Sequence, residues 1–256
     1  MQPPNLREIL DFAVDAAHAA GALTLGYFNV GTPHEIKSDS SPVTVADRNA
    51  ERLLREHIAA AFPRHGILGE EFGEERGAEP ARWILDPIDG TFSFIHGVPL
   101  YSVLIGFEWR GEVLAGVIHL PALNETVYAA RGLGCYCNGR RARVSDVTTL
   151  DRATLLTGGG KMFDKTSRGP AFEQLRRACL NHRSWCDGYA YALVATGRAE
   201  IVLDPKMAIW DCAALLPCLL EAGGTFTDWT GRTTHDAAES IATTPALLPA
   251  VLRAIA

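Results

Sequence analysis

A short apolar run followed by two acids constrains this chain most, and it lies in the sequence WILDPIDGTFSF at residues 83–94. Residues 83–85 are apolar and predict a buried strand. We expect that strand to end at Pro87, because proline cannot donate a hydrogen bond to a sheet ladder. Asp86 and Asp89 would then place two carboxylates at the end of one strand.

A helix start follows these acids. Gly90 lets the backbone approach a ligand closely, and Thr91 can cap a helix. Two acids beside a helix start could hold a metal ion next to a phosphate. An Asp-rich turn with a capped helix explains the same residues without a metal, and the stretch alone does not separate the two interpretations.

Composition sets the class of protein. The 256 residues suit one large domain or two small ones, and 47% hydrophobic with 21% charged residues is typical of a soluble globular protein. The net charge of −6 argues against a broad nucleic-acid-binding surface. An acidic enzyme can still bind an anionic phosphate if divalent cations mediate the contact.

Cysteine usage and apolar patterning bear on the compartment. The six cysteines form no CxxC pair, which favours reduced thiols in a cytoplasmic protein. The first residues lack a basic region followed by an apolar core, so we expect no signal peptide. The apolar runs are too short to span a bilayer, so no membrane contact is expected.

The N-terminal segments place two further candidate residues. An amphipathic helix is predicted to run to about Gly26, and residues 31–43 are predicted to form a mobile loop. Lys37 in that loop is either a solvated side chain or a cation that reaches a bound phosphate. A second helix is predicted to open at Thr44, where Asp47 fits a capping box.

Another acid precedes the central stretch by a short connection. Residues 67–69 are apolar or glycine and lead into Glu70 and Glu71. The connection to Asp86 and Asp89 is short, so all these acids could reach one shared site. Beyond the central stretch, residues 100–107 and 113–120 predict a β-hairpin.

A polar segment at residues 141–152 predicts a boundary between two lobes, 1–142 and 143–256, that form one catalytic unit. Asp211 is predicted to lie in the first turn of a helix, where an acid suits the helix dipole. The second lobe is predicted to contain strands at 153–157, 200–203 and 225–228, and helices at 172–179, 189–197, 212–221 and 245–255.

The acids could act together on a metal. Mg²⁺ prefers hard oxygen ligands, and burying several unpaired acids would raise their pKa values unless cations were present. Each acid alone also has an ordinary structural explanation, and the sequence does not show that they converge. The candidate ligands are Glu70, Asp86, Asp89 and Asp211, with the backbone carbonyl of Ile88.

Four motifs in this chain resemble those of the inositol monophosphatase family. Residues 86–94 resemble its first signature, and residues 210–214 with 221–224 resemble its second. Residues 69–71 and 43–47 match two further family positions. The matches occur in family order and cover nearly the whole chain.

The resemblance implies a mixed α/β (α+β) fold layered as an αβαβα sandwich, and Mg²⁺-dependent hydrolysis of a small phosphomonoester. It implies two or three Mg²⁺ per site, replacement by Mn²⁺, inhibition by Li⁺ and a homodimer. It assigns metal binding to Glu70, Asp86, Ile88, Asp89 and Asp211, catalysis to Thr91, Asp47 and Glu70, and phosphate binding to Gly90 and Thr91.

The segments at 183–189, 204–207 and 226–229 look like the histidinol-phosphatase branch of this family. The expected substrate is therefore L-histidinol phosphate, an intermediate of histidine biosynthesis that carries an ammonium and an imidazole. The expected substrate contacts are Asp187, Asp204 and Arg183. Phe92 and Cys186 depart from the branch pattern and leave the preferred alcohol open.

Three alternatives remain. A broader inositol or sugar monophosphatase would use the same acids. A 3′-phosphonucleotide or fructose bisphosphate phosphatase is disfavoured, because no added basic cluster is present for a second phosphate. A non-catalytic phosphate-binding protein on the same fold is disfavoured by the retention of Thr91, Asp47 and the four acids.

Overall fold

The structure is a computed structural model that describes residues 4–38, 40–164 and 166–256, and it combines helices and strands along the chain. Its helices are α1 (Leu6–Leu25), α2 (Val45–Ala61), α3 (Thr91–Ile95), α4 (Gly160–Asp164), α5 (Gly169–Ala178), α6 (Asp187–Ala195), α7 (Ile209–Ala213), α8 (Leu215–Glu221) and α9 (Leu248–Ile255). Its strands are β1 (His34–Ile36), β2 (Pro42–Thr44), β3 (Gly66–Gly69), β4 (Gly73–Glu75), β5 (Ala81–Asp89), β6 (Ser102–Trp109), β7 (Glu112–Leu120), β8 (Glu125–Ala130), β9 (Gly134–Cys137), β10 (Arg140–Arg141), β11 (Thr154–Leu156), β12 (Asn181–Arg183), β13 (Ile201–Asp204), β14 (Thr225–Thr227) and β15 (Ser240–Thr243).

The strands form two main sheets. The larger has the order β10-β9-β8-β7-β6-β5-β3-β4 and is antiparallel except for the pair β3 and β5. The smaller has the order β12-β11-β13-β15-β14, in which β11 runs parallel to both of its neighbours. Because β5 is hydrogen-bonded to a strand on each side, the side chains at its end are held in fixed positions.

Helices cover both faces of the larger sheet. The apolar stripe of α1, together with α2, packs on one face, while α6, α7 and α8 pack between the two sheets. Helices α5 and α9 contact each other, and their apolar side chains pack with those of the smaller sheet. The layers therefore follow the predicted αβαβα order, which confirms the expected fold class.

Two expectations about the first half were wrong. Part of the predicted loop at 31–43 forms the two-stranded hairpin β1–β2, in which His34 pairs with Thr44. The strand predicted to stop at Pro87 continues to Asp89, with a shift of register between Asp86 and Asp89. A bulge of this kind is where a strand tolerates a proline.

The second half also differs from the expectation. The helix predicted over 212–221 is broken into α7 and α8, because the ring of Pro217 clashes with a helical carbonyl four residues earlier, at Ala213. Strand β15 was missed, since four residues without alternation give no periodic signal. The other predicted elements of this half lie close to their expected places.

Candidate active site

Three acids from distant parts of the sequence meet at the end of β5. Oxygen atoms of Asp86, Asp89 and Asp211 all lie within 4.8 Å of one another. Residues three apart in a regular strand point to opposite faces, so the register shift in β5 lets both of its acids face the same side. Asp211 comes from the first turn of α7, which contacts β5 and β6.

Hydrogen bonds fix the orientation of each carboxylate. The Oδ2 atom of Asp89 accepts from the Ser102 hydroxyl at 2.6 Å and from the Gly188 backbone N–H at 2.5 Å. The Oδ1 atom of Asp86 accepts from the Ile88 N–H at 3.1 Å. The Oδ2 atom of Asp211 accepts from the Ala208 N–H at 2.7 Å. Each carboxylate accepts a backbone or hydroxyl hydrogen bond, so the cluster is preorganised.

The three acids are electrostatically unfavourable without a cation. Burial, followed by the charges of Glu70 and Asp89, raises the pKa of Asp86 well above its usual range. Burial raises the pKa of Asp89 to about 6. Burial and the charge of Asp89 raise the pKa of Asp211 to about 7. Buried hard oxygens that repel one another are the ligand set that Mg²⁺ and similar divalent cations favour, so these residues fit a metal.

Glu70 lies beside the cluster and is paired with Lys37. The Lys37 Nζ atom is 2.9 Å from Glu70 Oε1 and 2.5 Å from Glu71 Oε1. Burial raises the pKa of Glu70, and the hydrogen bond from Lys37 partly opposes that shift. Lys37 is therefore paired and only partly exposed, and its charge offsets that of two acids next to the cluster.

Thr91 and Asp47 are in contact, as the resemblance implied. The Thr91 hydroxyl lies 3.3 Å from Asp47 Oδ1 and 3.0 Å from the Ile88 carbonyl oxygen. Asp47 Oδ2 accepts from both the N–H and the hydroxyl of Thr44, so this buried acid also closes the capping box of α2. The capping interpretation and the site interpretation of Asp47 are therefore compatible.

The expectation that Thr91 caps α3 was wrong. The N-cap residue is Gly90, with φ of 82°, and Thr91 is the first helical residue. A side chain at position 90 would also collide with the carboxylate of Asp187. Glycine is required at this position for both reasons.

Asp187 brings a fourth acid to the cluster from the start of α6. Its φ of 58° is left-handed, which aspartate tolerates better than most residues. Burial and the charge of Asp89 raise its pKa to about 8, and its Oδ2 lies 3.2 Å from the Cys186 sulfur. A half-buried acid in left-handed backbone, next to the metal-type cluster, is typical of a ligand-binding position.

Asp204 and Arg183 are placed differently. Asp204 is buried, and its Oδ2 accepts from the Tyr191 hydroxyl at 2.6 Å. Arg183 is exposed, and its Nη1 donates to the neighbouring carbonyl of His182 at 2.7 Å. Within residues 4–38, 40–164 and 166–256, no hydrogen bond or ion pair joins the Arg183 side chain to the acids of the site.

Glu51 was missed in the sequence. It is fully buried in α2, and its carboxylate accepts from the backbone N–H groups of Glu71 at 2.7 Å and Phe72 at 3.2 Å. It therefore positions the turn that carries Glu70. The available signal was an acid in the apolar stripe of α2, one turn after Asp47.

A narrow cavity opens from the cluster between the two sheets. A second, larger cavity lies between α8 and the β6–β7 hairpin, and none of the clustered acids lines it. Charged side chains in that second cavity form ion pairs, such as Arg131 with Glu112 and Arg232 with Asp228. The narrow cavity is lined by Asp89, Asp187, Asp211, Gly158, Gly188, Met162, Tyr191, Asp204, Lys206, Met207 and Leu215.

A layered αβαβα fold with buried carboxylates at a strand end defines a metal-dependent phosphatase. The chain belongs to the inositol monophosphatase family, whose family model matches residues 5–256. It is therefore a phosphatase that acts on small phosphorylated substrates.

Similar proteins agree on the family and differ in their named substrates. A histidinol-phosphatase of Chlorobaculum parvum is 46% identical over 225 residues, which is 87% of this chain and 86% of that protein. A fructose-1,6-bisphosphatase/inositol-1-monophosphatase of Thermotoga maritima is 36% identical over 87% of this chain and 86% of that protein. The extragenic suppressor protein suhB of Bartonella henselae has a solved structure that matches with a TM-score of 0.91 and 31% identity, over 97% of this chain and 98% of that one.

Within the part of the chain that the structure describes, no helix combines the length and apolarity needed to cross a membrane.

Proposed function

We propose that this enzyme hydrolyses L-histidinol phosphate to L-histidinol and phosphate with Mg²⁺ as its cofactor, as a step of histidine biosynthesis. The observation that carries the proposal is Asp187, a half-buried acid that lines the same cavity as Asp89 and Asp211. An acid at this place suits a substrate whose alcohol carries an ammonium group. The 46% identity to a histidinol-phosphatase supports the same choice.

The metal would be held by the acidic cluster, with Glu70 and the Ile88 carbonyl as further ligands. Two or three Mg²⁺ would fit the number of acids, and Mn²⁺ takes the same oxygen ligands. When bound, the metal supplies Lewis-acid stabilisation of charge on the phosphate and the leaving oxygen, and lowers the pKa of water.

The protein groups have separate roles in this proposal. As the water attacks, the Thr91 hydroxyl takes its proton and passes its own proton to Asp47, which lies 3.3 Å away and aligns the hydroxyl. The backbone N–H groups of Gly90 and Thr91 bind the phosphate oxygens. The Lys37 ammonium, already beside Glu70, adds positive charge next to the phosphate site.

A broader inositol or sugar monophosphatase is the second candidate. Relatives with such names are 36% and 37% identical to this chain, and acids such as Asp187 also accept hydrogen bonds from polyol hydroxyls. The two candidates share the metal and the mechanism and differ only in the alcohol that is released.

The experiment is phosphate release in Mg²⁺ from L-histidinol phosphate and myo-inositol 1-phosphate, measured in parallel. We expect kcat/KM to be about 100-fold higher for histidinol phosphate, a difference of about 2.7 kcal/mol in the transition state. Equal or reversed values would reject histidinol phosphate as the substrate and favour the second candidate.

Two variants test the residue roles in the same assay. Asp187→Asn keeps a residue type that tolerates left-handed backbone, and should raise KM for histidinol phosphate more than for the inositol ester. Thr91→Val keeps the shape but removes the hydroxyl, and should lower kcat by roughly 100-fold for both esters. Unchanged kinetics in either variant would remove the corresponding role.

The state of the cysteines bears on the compartment in which the enzyme works. All six are free thiols in the structure. Free thiols are usual in a reducing compartment, and we propose that the enzyme works there.

A further inference from the structure

The lining of the narrow cavity combines acids with apolar side chains, and this inference rests on the proposed function. Asp89 and Asp211 of the acidic cluster line it, as do Asp187 and Asp204. Two methionines, Met162 and Met207, line the cavity together with Leu215. A substrate phosphorylated at the metal end would place the rest of its alcohol against these apolar side chains.

Both thioethers have close neighbours. The Met162 sulfur lies against Gly158, so a side chain at position 158 would have to displace it. The Met207 sulfur lies 3.8 Å from the Tyr191 hydroxyl, and Met207 packs against the apolar cluster between the sheets.

The polar groups behind the methionines already have partners. The Tyr191 hydroxyl donates to Asp204 Oδ2 at 2.6 Å and lies 2.6 Å from the Ser240 hydroxyl. Asp204 also accepts from the Gly158 N–H. Lys206 lines the cavity but is exposed. Apart from the Lys206 ammonium, the polar groups around the methionines are already hydrogen-bonded to protein partners.

Such a surface discriminates between alcohols. An inositol or sugar ring carries hydroxyls around its whole edge, and each hydroxyl placed against a thioether or Leu215 loses hydrogen bonds to water without replacement. A flat heteroaromatic ring presents apolar faces, which make favourable contacts with methionine sulfur. We infer that Met162 and Met207 select a heteroaromatic leaving alcohol over a polyol.

The experiment replaces each methionine by glutamine, which has a similar length but adds a polar amide. Met207→Gln and Met162→Gln should each lower the ratio of kcat/KM for L-histidinol phosphate to that for myo-inositol 1-phosphate by about tenfold. The matched control Met207→Leu keeps the surface apolar and should leave that ratio near the wild-type value. Circular dichroism and thermal melting confirm that each variant is folded.

Binding gives a readout independent of turnover. By calorimetry, L-histidinol should bind both glutamine variants about tenfold more weakly than wild type, while myo-inositol should bind no more weakly. Wild-type selectivity with unchanged ratios and affinities in the glutamine variants would overturn this inference and leave the proposed function standing. A wild-type enzyme without preference for histidinol phosphate would overturn the proposed function, and the inference with it.

Discussion

At the scale of single residues, two acids of this site have pKa values raised so far that they bind protons near neutral pH. Without metal, Asp211 has a pKa of about 7 and Asp187 of about 8, both raised by burial and by the charge of Asp89. In the unfolded chain an aspartate titrates near 3.9. The folded, metal-free protein therefore holds protons that the unfolded chain releases.

These raised pKa values set the direction in which the stability of the metal-free protein changes with pH. A group whose pKa is raised by folding adds stability that is present below the unfolded pKa and is lost as the pH rises through the folded value. The stability that protonated Asp211 and Asp187 contribute to the metal-free protein should be lost from about pH 4 to pH 8, and Mg²⁺ should replace the missing protons. The increase in Tm on adding Mg²⁺ should therefore be larger at pH 8 than at pH 6.

Thermal melts in EDTA and in Mg²⁺ at both pH values measure this difference. The variant Asp211→Asn removes one titrating group and should flatten the pH dependence. A Mg²⁺-induced Tm increase that is larger at pH 6 would contradict the account.

At the scale of elements, the packing of α1 on β7 depends on Gly21. A Cβ atom at Gly21 would lie 2.5 Å from the ring of His119 on β7. That ring is buried, and its Nδ1 lies 2.9 Å from the Thr126 hydroxyl, which also lies 2.9 Å from His18 Nε2 on α1. The two histidines therefore meet at one hydroxyl where helix and sheet touch.

Gly21→Ala should lower the free energy of unfolding by about 1–3 kcal/mol, because the added methyl group overpacks this contact. Gly26→Ala adds the same group at the end of the same helix, where φ is −64°, and should change stability much less. Urea unfolding of the two variants measures both effects. Equal destabilisation would show that the His119 contact does not limit the packing of α1.

At the scale of the whole molecule, we propose a homodimer. Phe92, Val98 and Trp185 are apolar and exposed. Phe92 and Trp185 lie close in sequence to Gly90 and Asp187, which are in contact, so a partner could cover both segments. Light scattering should give twice the mass of one chain, and the mass of a single chain would reject the dimer.

Local signals were enough for much of the fold. The apolar stripes of α1 and α2, the capping box at Thr44 and the β6–β7 hairpin are properties of neighbouring residues, so periodicity predicted them. The acids that could bind a metal were also proposed from their places at strand and helix ends, whereas the αβαβα layering and the catalytic roles of Thr91 and Asp47 came from the family resemblance. Periodicity says nothing about how distant elements stack.

The features that could not be predicted from the sequence depend on contacts between residues that are far apart in the chain. The shift in β5 depends on pairing with β6, and the hairpin of β1 and β2 depends on pairing across a polar turn. Tyr191 donates a hydrogen bond to Asp204, which lies 13 residues away in the sequence. Glu51 accepts hydrogen bonds from the backbone of Glu71 and Phe72, which are further away still. No local pattern encodes such partners.

The central claim is that acids from both halves of the chain form one metal centre. Calorimetric titration of the metal-free enzyme with Mg²⁺ tests it most directly, with Asp211→Asn compared with the exposed control Asp151→Asn. Asparagine keeps the acceptor for the Ala208 N–H but removes the charge. We predict that Asp211→Asn binds Mg²⁺ at least roughly tenfold more weakly than wild type and Asp151→Asn equally well. Wild-type affinity in Asp211→Asn would contradict the account.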